Sequence, residues 1–161
     1  MTLHVQLPRI PRLRALASLL LAAALLIAPA TASAGKRYAV NAGGTVKFYK
    51  REAKAKIVEQ RGKVSGKPFG SGTLILRTKL AARKKLEYSI RLTTSKGAVW
   101  GNGTASLTTK GSNASYKGTL TIRGGDGTYK KIRKGTVLNV SGSGPANVRT
   151  TTVKITGSVV Y

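Results

Sequence analysis

Apolar and polar residues alternate with a period of two over long stretches of this chain. In Leu86–Leu92 the even-numbered residues are apolar and the odd-numbered ones are polar. Tyr116–Arg123 and Val153–Tyr161 show the same alternation, each with one glycine at an apolar position. Successive side chains of an extended chain point to opposite faces, so each stretch predicts a β-strand with one buried face.

Weaker alternation predicts further strands between these three. Ser95–Gly97 and Gly111–Asn113 fit hairpin connections, because Gly and Asn accept positive φ at little cost. The strands therefore follow one another as an antiparallel meander. The additional strands run over Ala53–Val64, Gly70–Leu80, Ala98–Thr108 and Gly135–Ser141.

Seven or eight strands with one apolar face each must bury that face, either by pairing two sheets or by closing into a barrel. Closure also removes exposed strand edges. We therefore predict an all-β fold, a closed or nearly closed antiparallel barrel of about eight strands. The interior of such a barrel is filled by side chains or holds one small ligand, and the sequence leaves both alternatives open.

The N-terminal segment indicates secretion. Three arginines precede an uncharged run, Ala15–Ala28, of 14 residues. That run is shorter than the roughly 20 apolar residues that span a bilayer, but it matches the centre of a signal peptide. Ala32–Ala34 supplies the small-residue cleavage pattern. We expect residues 1–34 to be removed after Ala34 and 35–161 to be secreted as one domain without a transmembrane segment, a retained N-terminal anchor being the alternative.

Composition removes several kinds of chemistry. The sequence has no Cys, and its one His lies in the predicted leader, so disulfides, thiolate nucleophiles, Ser-His-Asp triads and the usual zinc ligand sets are excluded from the secreted domain. Its four acidic residues are scattered, which offers no cluster for a hard cation. We therefore expect no metal and no cofactor.

Two glycine-rich segments resemble a known family. The strand Gly118–Ile122, the turn Gly124–Tyr129 and the later Gly135 resemble the strand, GGTG-x-Y/F turn and glycine of dirigent and allene oxide cyclase-like barrels. Lys63–Gly72 resembles the early glycine-rich turn of their bacterial secreted relatives. The resemblance implies an eight-stranded barrel, but it transfers no activity, because such folds serve cyclases, stereochemistry-directing binders and other proteins.

The turn itself predicts an architectural role. Tyr129 can fold back as an apolar plug, since the glycines allow conformations closed to other residues. Asp126 stands where the family usually has Thr, which puts an inherited role for that position in doubt. A carboxylate in such a turn most often caps backbone N–H groups.

A catalytic alternative rests on few residues. A small-molecule cyclase or isomerase would need a carboxylate or phenol inside the barrel to steer charge or move a proton. Glu59 lies on the first predicted strand and could face inward, while Tyr88 and Tyr116 lie on apolar strand faces. A small apolar ligand in the barrel belongs to the same alternative.

Positive charge is the clearest functional signal. All but three of the 29 Lys and Arg residues lie in 35–161, against four acids. Loop-borne cations attract polyanions, so we expect a non-catalytic, surface-associated protein that binds anionic polymers or an anionic membrane surface, without specific nucleic-acid recognition. The predicted loop cations are Arg83, Lys84 and Lys85, and Lys130, Lys131, Arg133 and Lys134; a further basic group comprises Lys47, Lys50, Arg51, Lys54 and Lys56.

Overall fold

Eight antiparallel strands close into one barrel. The computed structural model describes residues 35–82, 84–147 and 149–161, so the predicted leader and Arg83 lie outside the described residues. Each strand pairs with its neighbour in sequence, and β8 pairs with β1. The predicted all-β meander barrel is confirmed. The strands are β1 (Arg37–Glu52), β2 (Ile57–Lys67), β3 (Gly70–Ala82), β4 (Lys85–Thr94), β5 (Gly97–Lys110), β6 (Asn113–Gly125), β7 (Val137–Pro145) and β8 (Thr150–Val160).

Strand β1 is the element that the alternation did not predict. Its first half places Val40, Ala42 and Val46 inside the barrel. Its second half is mostly polar and charged, and the pairing with β2 shifts register between Phe48 and Lys50. The prediction for the next strand was also displaced: β2 begins four residues later than expected because 53–56 form the β1–β2 turn.

The barrel interior is filled mainly by aliphatic side chains, and the apolar faces that alternation predicted for β4, β6 and β8 point into it. Leu74, Leu76 and Val46 have no exposed surface. At Gly118 the backbones of β5 and β6 approach so closely that a Cβ would meet the carbonyl oxygen of Thr104 on the neighbouring strand. The other large side chains with less than 2 % exposure are Tyr129, Ile122, Leu138, Val140, Val153 and Val159.

The meander gives the barrel two different ends. The turns β1–β2, β3–β4, β5–β6 and β7–β8 lie at one end, which we call the recess end. The connections β2–β3, β4–β5 and β6–β7 lie at the other, which we call the plug end.

Aromatic residues close the plug end. Tyr129 is 1 % exposed; its ring contacts Phe69 and Tyr161 edge-on at centroid distances of 5.5 and 5.9 Å. Tyr161 in turn stacks on Tyr38 at 4.7 Å. The Tyr129 hydroxyl donates to the carbonyl of Phe69 at 3.2 Å. The plug role predicted for Tyr129 is confirmed.

Among the described residues, no helix has the length and apolarity needed to cross a bilayer.

Candidate functional site

The barrel interior brings Tyr88 and Tyr116 together, with ring centroids 6.5 Å apart. Both side chains are buried, and neither hydroxyl has a hydrogen-bond partner among the described residues. Burial raises the pKa of Tyr88 to about 12, and burial together with the neighbouring Tyr88 raises the pKa of Tyr116 further. Both phenols are therefore neutral at physiological pH.

Inside the barrel little free space lies beside these phenols, although Tyr88 also lines a larger groove of the outer wall. A recess of about 130 Å³ at the recess end is lined by Tyr116, Leu86, Leu107 and the hydrogen-bonded pair Gln60 and Thr151. An apolar cavity deeper in the barrel measures about 20 Å³. The recess is large enough for a few waters or a very small ligand. The alternative of chemistry inside the barrel stays a prediction.

Glu59 does not join this interior. The expectation that it could face inward is wrong: its neighbour Gln60 faces the interior, and Glu59 lies on the outer wall. It is nevertheless 5 % exposed, because Arg61 and Arg77 cover it with ion pairs of 2.6 and 3.6 Å. Its two arginine partners identify it as part of a wall ion-pair network, which offers no carboxylate to an interior ligand.

The structure separates the predicted loop cations. Lys84 and Lys85 lie at the β3–β4 turn, at the recess end. Lys130, Lys131, Arg133 and Lys134 lie in the β6–β7 connection, at the plug end. The two groups therefore form two surfaces at opposite ends of the barrel.

Two buried side chains hold the β6–β7 connection against the plug end. Tyr129 and Ile132 are 1 % and 3 % exposed, whereas all four cations between and after them are exposed. The Ile132 amide donates to the Tyr129 carbonyl at 2.9 Å, and the Arg133 amide donates to the Val160 carbonyl at 2.8 Å. The loop is therefore ordered by its own backbone and by the barrel, and it directs its charges outward.

Asp126 begins this connection, but its carboxylate is already engaged. Oδ1 accepts a hydrogen bond from the Ala98 amide, and Oδ2 lies 3.4 Å from the Arg91 guanidinium. The predicted backbone-capping role of Asp126 is confirmed. Gly127 follows with a φ of 55°, and a Cβ there would meet the Lys96 carbonyl, so glycine is required for this close approach.

Other cations surround the anchored loop. Lys96 lies in the β4–β5 turn, and its carbonyl accepts a hydrogen bond from the Thr128 amide at 2.8 Å. Lys36 precedes β1 at the same end. Among the described residues, no carboxylate lies within ion-pair distance of these lysines or of the four loop cations. Alternation could not reveal this grouping, because the positions come together only through the closure of the barrel.

A polar groove also crosses the outer wall of β3–β6. It measures about 560 Å³ and adjoins a depression of about 360 Å³ that is lined by Trp100. The Arg91 guanidinium lies 5.2 Å from the centre of the Trp100 ring. Both hollows share Arg77, Ser89, Asn102 and Arg123, of which the sequence analysis selected none.

Carboxylates compensate much of the groove's positive charge. Arg77 lies 2.6 Å from Glu52, Arg91 lies 3.4 Å from Asp126, and Glu87 lines the groove itself. Glu52 ends β1 at the recess end and Asp126 opens the β6–β7 connection at the plug end, but each of them pairs with an arginine of this wall. The lysines and arginines of the turns at both ends have no carboxylate within ion-pair distance among the described residues.

Comparison of the chain with protein families, curated proteins and solved structures finds no match. The resemblance to dirigent and allene oxide cyclase-like barrels stays a prediction.

Proposed function

We propose that the secreted barrel binds anionic polymers of the cell envelope or its surroundings through the cations of the plug end. The observation that carries this proposal is the anchored loop, which presents Lys130, Lys131, Arg133 and Lys134 to solvent from a backbone fixed by Tyr129 and Ile132. Lys36 and Lys96 extend the same positive surface.

The anchoring matters energetically. Binding usually orders a flexible loop and loses conformational entropy, but here the barrel has already ordered the backbone. Four cations on a fixed loop neutralise charges on a polymer and release its condensed counterions, which is the main source of affinity in such complexes.

The residues of this surface favour recognition of a polymer by its charge density and not by its sequence or shape. Five of its six cations are lysines, which act as point charges, and one is an arginine with a planar fork. The described plug end offers no exposed aromatic platform, since its rings are packed into the plug. We therefore infer binding to phosphate- or carboxylate-rich polymers as a class, without base-specific recognition.

A salt titration tests this function. Wild-type protein should bind long-chain polyphosphate and duplex DNA at low salt, and log K should fall linearly with log of salt concentration. Replacing all four loop cations with Gln should reduce the slope by up to about one unit for each lost phosphate contact. The expected melting temperature is close to that of wild type, because the replaced side chains face water.

A charge-matched variant provides the control. Replacing four exposed wall lysines with Gln removes the same charge while leaving the loop intact, and it should change the slope much less. Equal effects of the two variants would show that net charge, and not the plug end, governs binding; absence of binding at low salt would reject the function. The wall lysines are Lys47, Lys63, Lys117 and Lys154.

A further inference from the structure

The recess end differs from the plug end because it exposes large apolar side chains. Phe48 is 47 % exposed and Leu80 is 56 % exposed. Residues two apart on a strand share a face. Val46, two residues before Phe48, and Thr78, two residues before Leu80, point into the barrel, so Phe48 and Leu80 continue the inward faces of β1 and β3 beyond the rim. Phe48 adjoins the β7–β8 turn, since its amide donates to the Arg149 carbonyl at 2.8 Å, and Leu80 pairs with Leu86 beside the β3–β4 turn.

Basic residues surround these apolar tips. Every one of the four turns at this end has a lysine or arginine in it or next to it. Apart from the cations of β1, none of these turn lysines and arginines lies within ion-pair distance of a carboxylate among the described residues. They are Lys54 and Lys56, Lys84 and Lys85, Lys110, and Arg149.

Two of these lysines occupy a backbone conformation that favours glycine or asparagine. Lys56 has a φ of 54° and Lys84 a φ of 61°. A left-handed conformation at a non-glycine residue costs about 1–2 kcal/mol. The turns therefore hold a lysine at two positions where glycine would be less strained.

We propose that the recess end docks on an anionic bilayer surface, with Phe48 and Leu80 inserted into the interface and the surrounding cations against the lipid headgroups. A soluble polyanion would interact with the cations and would leave Phe48 and Leu80 in water. An anionic membrane binds both kinds of side chain, because apolar side chains leave water at the acyl boundary while Lys and Arg are attracted by the negative surface potential. Beside the plug end the one exposed large apolar side chain among the described residues is Val137, which lies on the outer face of β7 because its neighbour Leu138 is buried in the barrel.

Vesicle sedimentation tests the docking surface. The protein should sediment with vesicles of phosphatidylglycerol and phosphatidylcholine and not with phosphatidylcholine alone. The double variant Phe48→Ser and Leu80→Ser should weaken partitioning by at least about tenfold, since two apolar side chains lose their interfacial burial. Val137→Ser is the matched control, because Val137 is 57 % exposed but lies on β7 beside the plug end; it should partition like wild type.

Fluorescence gives a second measurement that does not depend on affinity. Trp100 is the single tryptophan, so Phe48→Trp in a Trp100→Phe background reports on the rim alone. Its emission should shift to the blue on anionic vesicles and be quenched by brominated acyl chains. Unchanged emission, equal binding to neutral vesicles, or unchanged partitioning of the Phe48 and Leu80 variant would each overturn the proposal.

The plug-end loop variant separates this inference from the proposed function. If the two ends act independently, replacing the four loop cations should weaken polyphosphate binding and leave most vesicle binding. Loss of vesicle binding in that variant, with the Phe48 and Leu80 variant unaffected, would assign the membrane to the plug end and contradict docking through the rim.

Discussion

Tyr88 and Tyr116 carry hydroxyl groups into the barrel without hydrogen-bond partners among the described residues. A buried polar group without a partner loses its hydration and gains nothing in return, at a cost of about 1–3 kcal/mol. Alternation correctly placed both rings on inward faces, but it could not show whether their hydroxyls would find partners. That outcome depends on the neighbouring strand, where the Tyr116 ring lies directly against its register partner Gly142.

Replacing these phenols should therefore not destabilise the protein. Tyr88→Phe and Tyr116→Phe should each leave the free energy of unfolding at pH 7 unchanged or raise it by about 1 kcal/mol, as measured by urea unfolding.

The raised pKa of Tyr88 adds a pH dependence. Tyr88 does not change the pH dependence of the free energy of unfolding below pH 10.0, but it lowers that free energy as pH rises from there towards about 12, because the phenol ionises first in the unfolded chain. Tyr88→Phe should reduce this alkaline loss, and a decrease in stability of more than 1 kcal/mol at pH 7 would reveal a hydrogen bond that this account omits.

Glu59 shows why single residues can be misplaced from sequence. Charged and apolar residues occur on both faces of the predicted strand 53–64, so alternation over those bounds does not fix which face is buried. Within β2 itself, which begins at Ile57, the even-numbered residues carry no charge and Glu59 falls on the charged face. The decision comes from Arg77, a partner on the next strand, and from Arg61, whose guanidinium also lies 3.7 Å from the ring centre of Tyr49. Such a network depends on strand register, which the sequence alone does not specify here.

The strands with strict alternation were predicted correctly, and weaker alternation located β3 and β5 within two residues at each end. Strand β1 was not predicted, and β2 begins later than expected. β4, β6 and β8 have one apolar and one polar face, whereas β1 combines two adjacent glycines, a register shift and a charged end. Its place in the fold is set by pairing with both β2 and β8. Closure of the barrel therefore determines β1 more than its own sequence does.

The β6–β7 connection links packing to binding. Ile132→Ala should lower the free energy of unfolding by about 2–4 kcal/mol, because it removes a side chain that is 3 % exposed. It should also weaken polyphosphate binding at unchanged net charge, since the loop must then be ordered on binding. Isothermal calorimetry well below the melting temperature measures the second effect, with Val137→Ala as an exposed control that should change neither quantity. Unchanged affinity in a destabilised Ile132→Ala protein would show that loop order does not contribute.

At the scale of the whole molecule, the distribution of charge is more informative than its sum. Composition predicted attraction to polyanions, but it could not show that Glu52 and Asp126 pair with residues of the strands and leave the turn cations of both ends without a carboxylate partner among the described residues. The two ends then differ in what accompanies the charge: an anchored loop at one, exposed apolar tips at the other. Secretion after cleavage at Ala34, which would expose both ends to the envelope, stays a prediction outside the described residues.

Amide chemical-shift mapping with a short-chain polyphosphate tests binding at the plug end, because it locates the bound polymer without any substitution. We expect the largest shifts at 130–134 and at Lys36 and Lys96, and we expect them to disappear as salt is raised. Shifts concentrated at Gln60, Tyr116 and the other residues of the recess, or an unchanged spectrum at low salt, would contradict binding at the plug end.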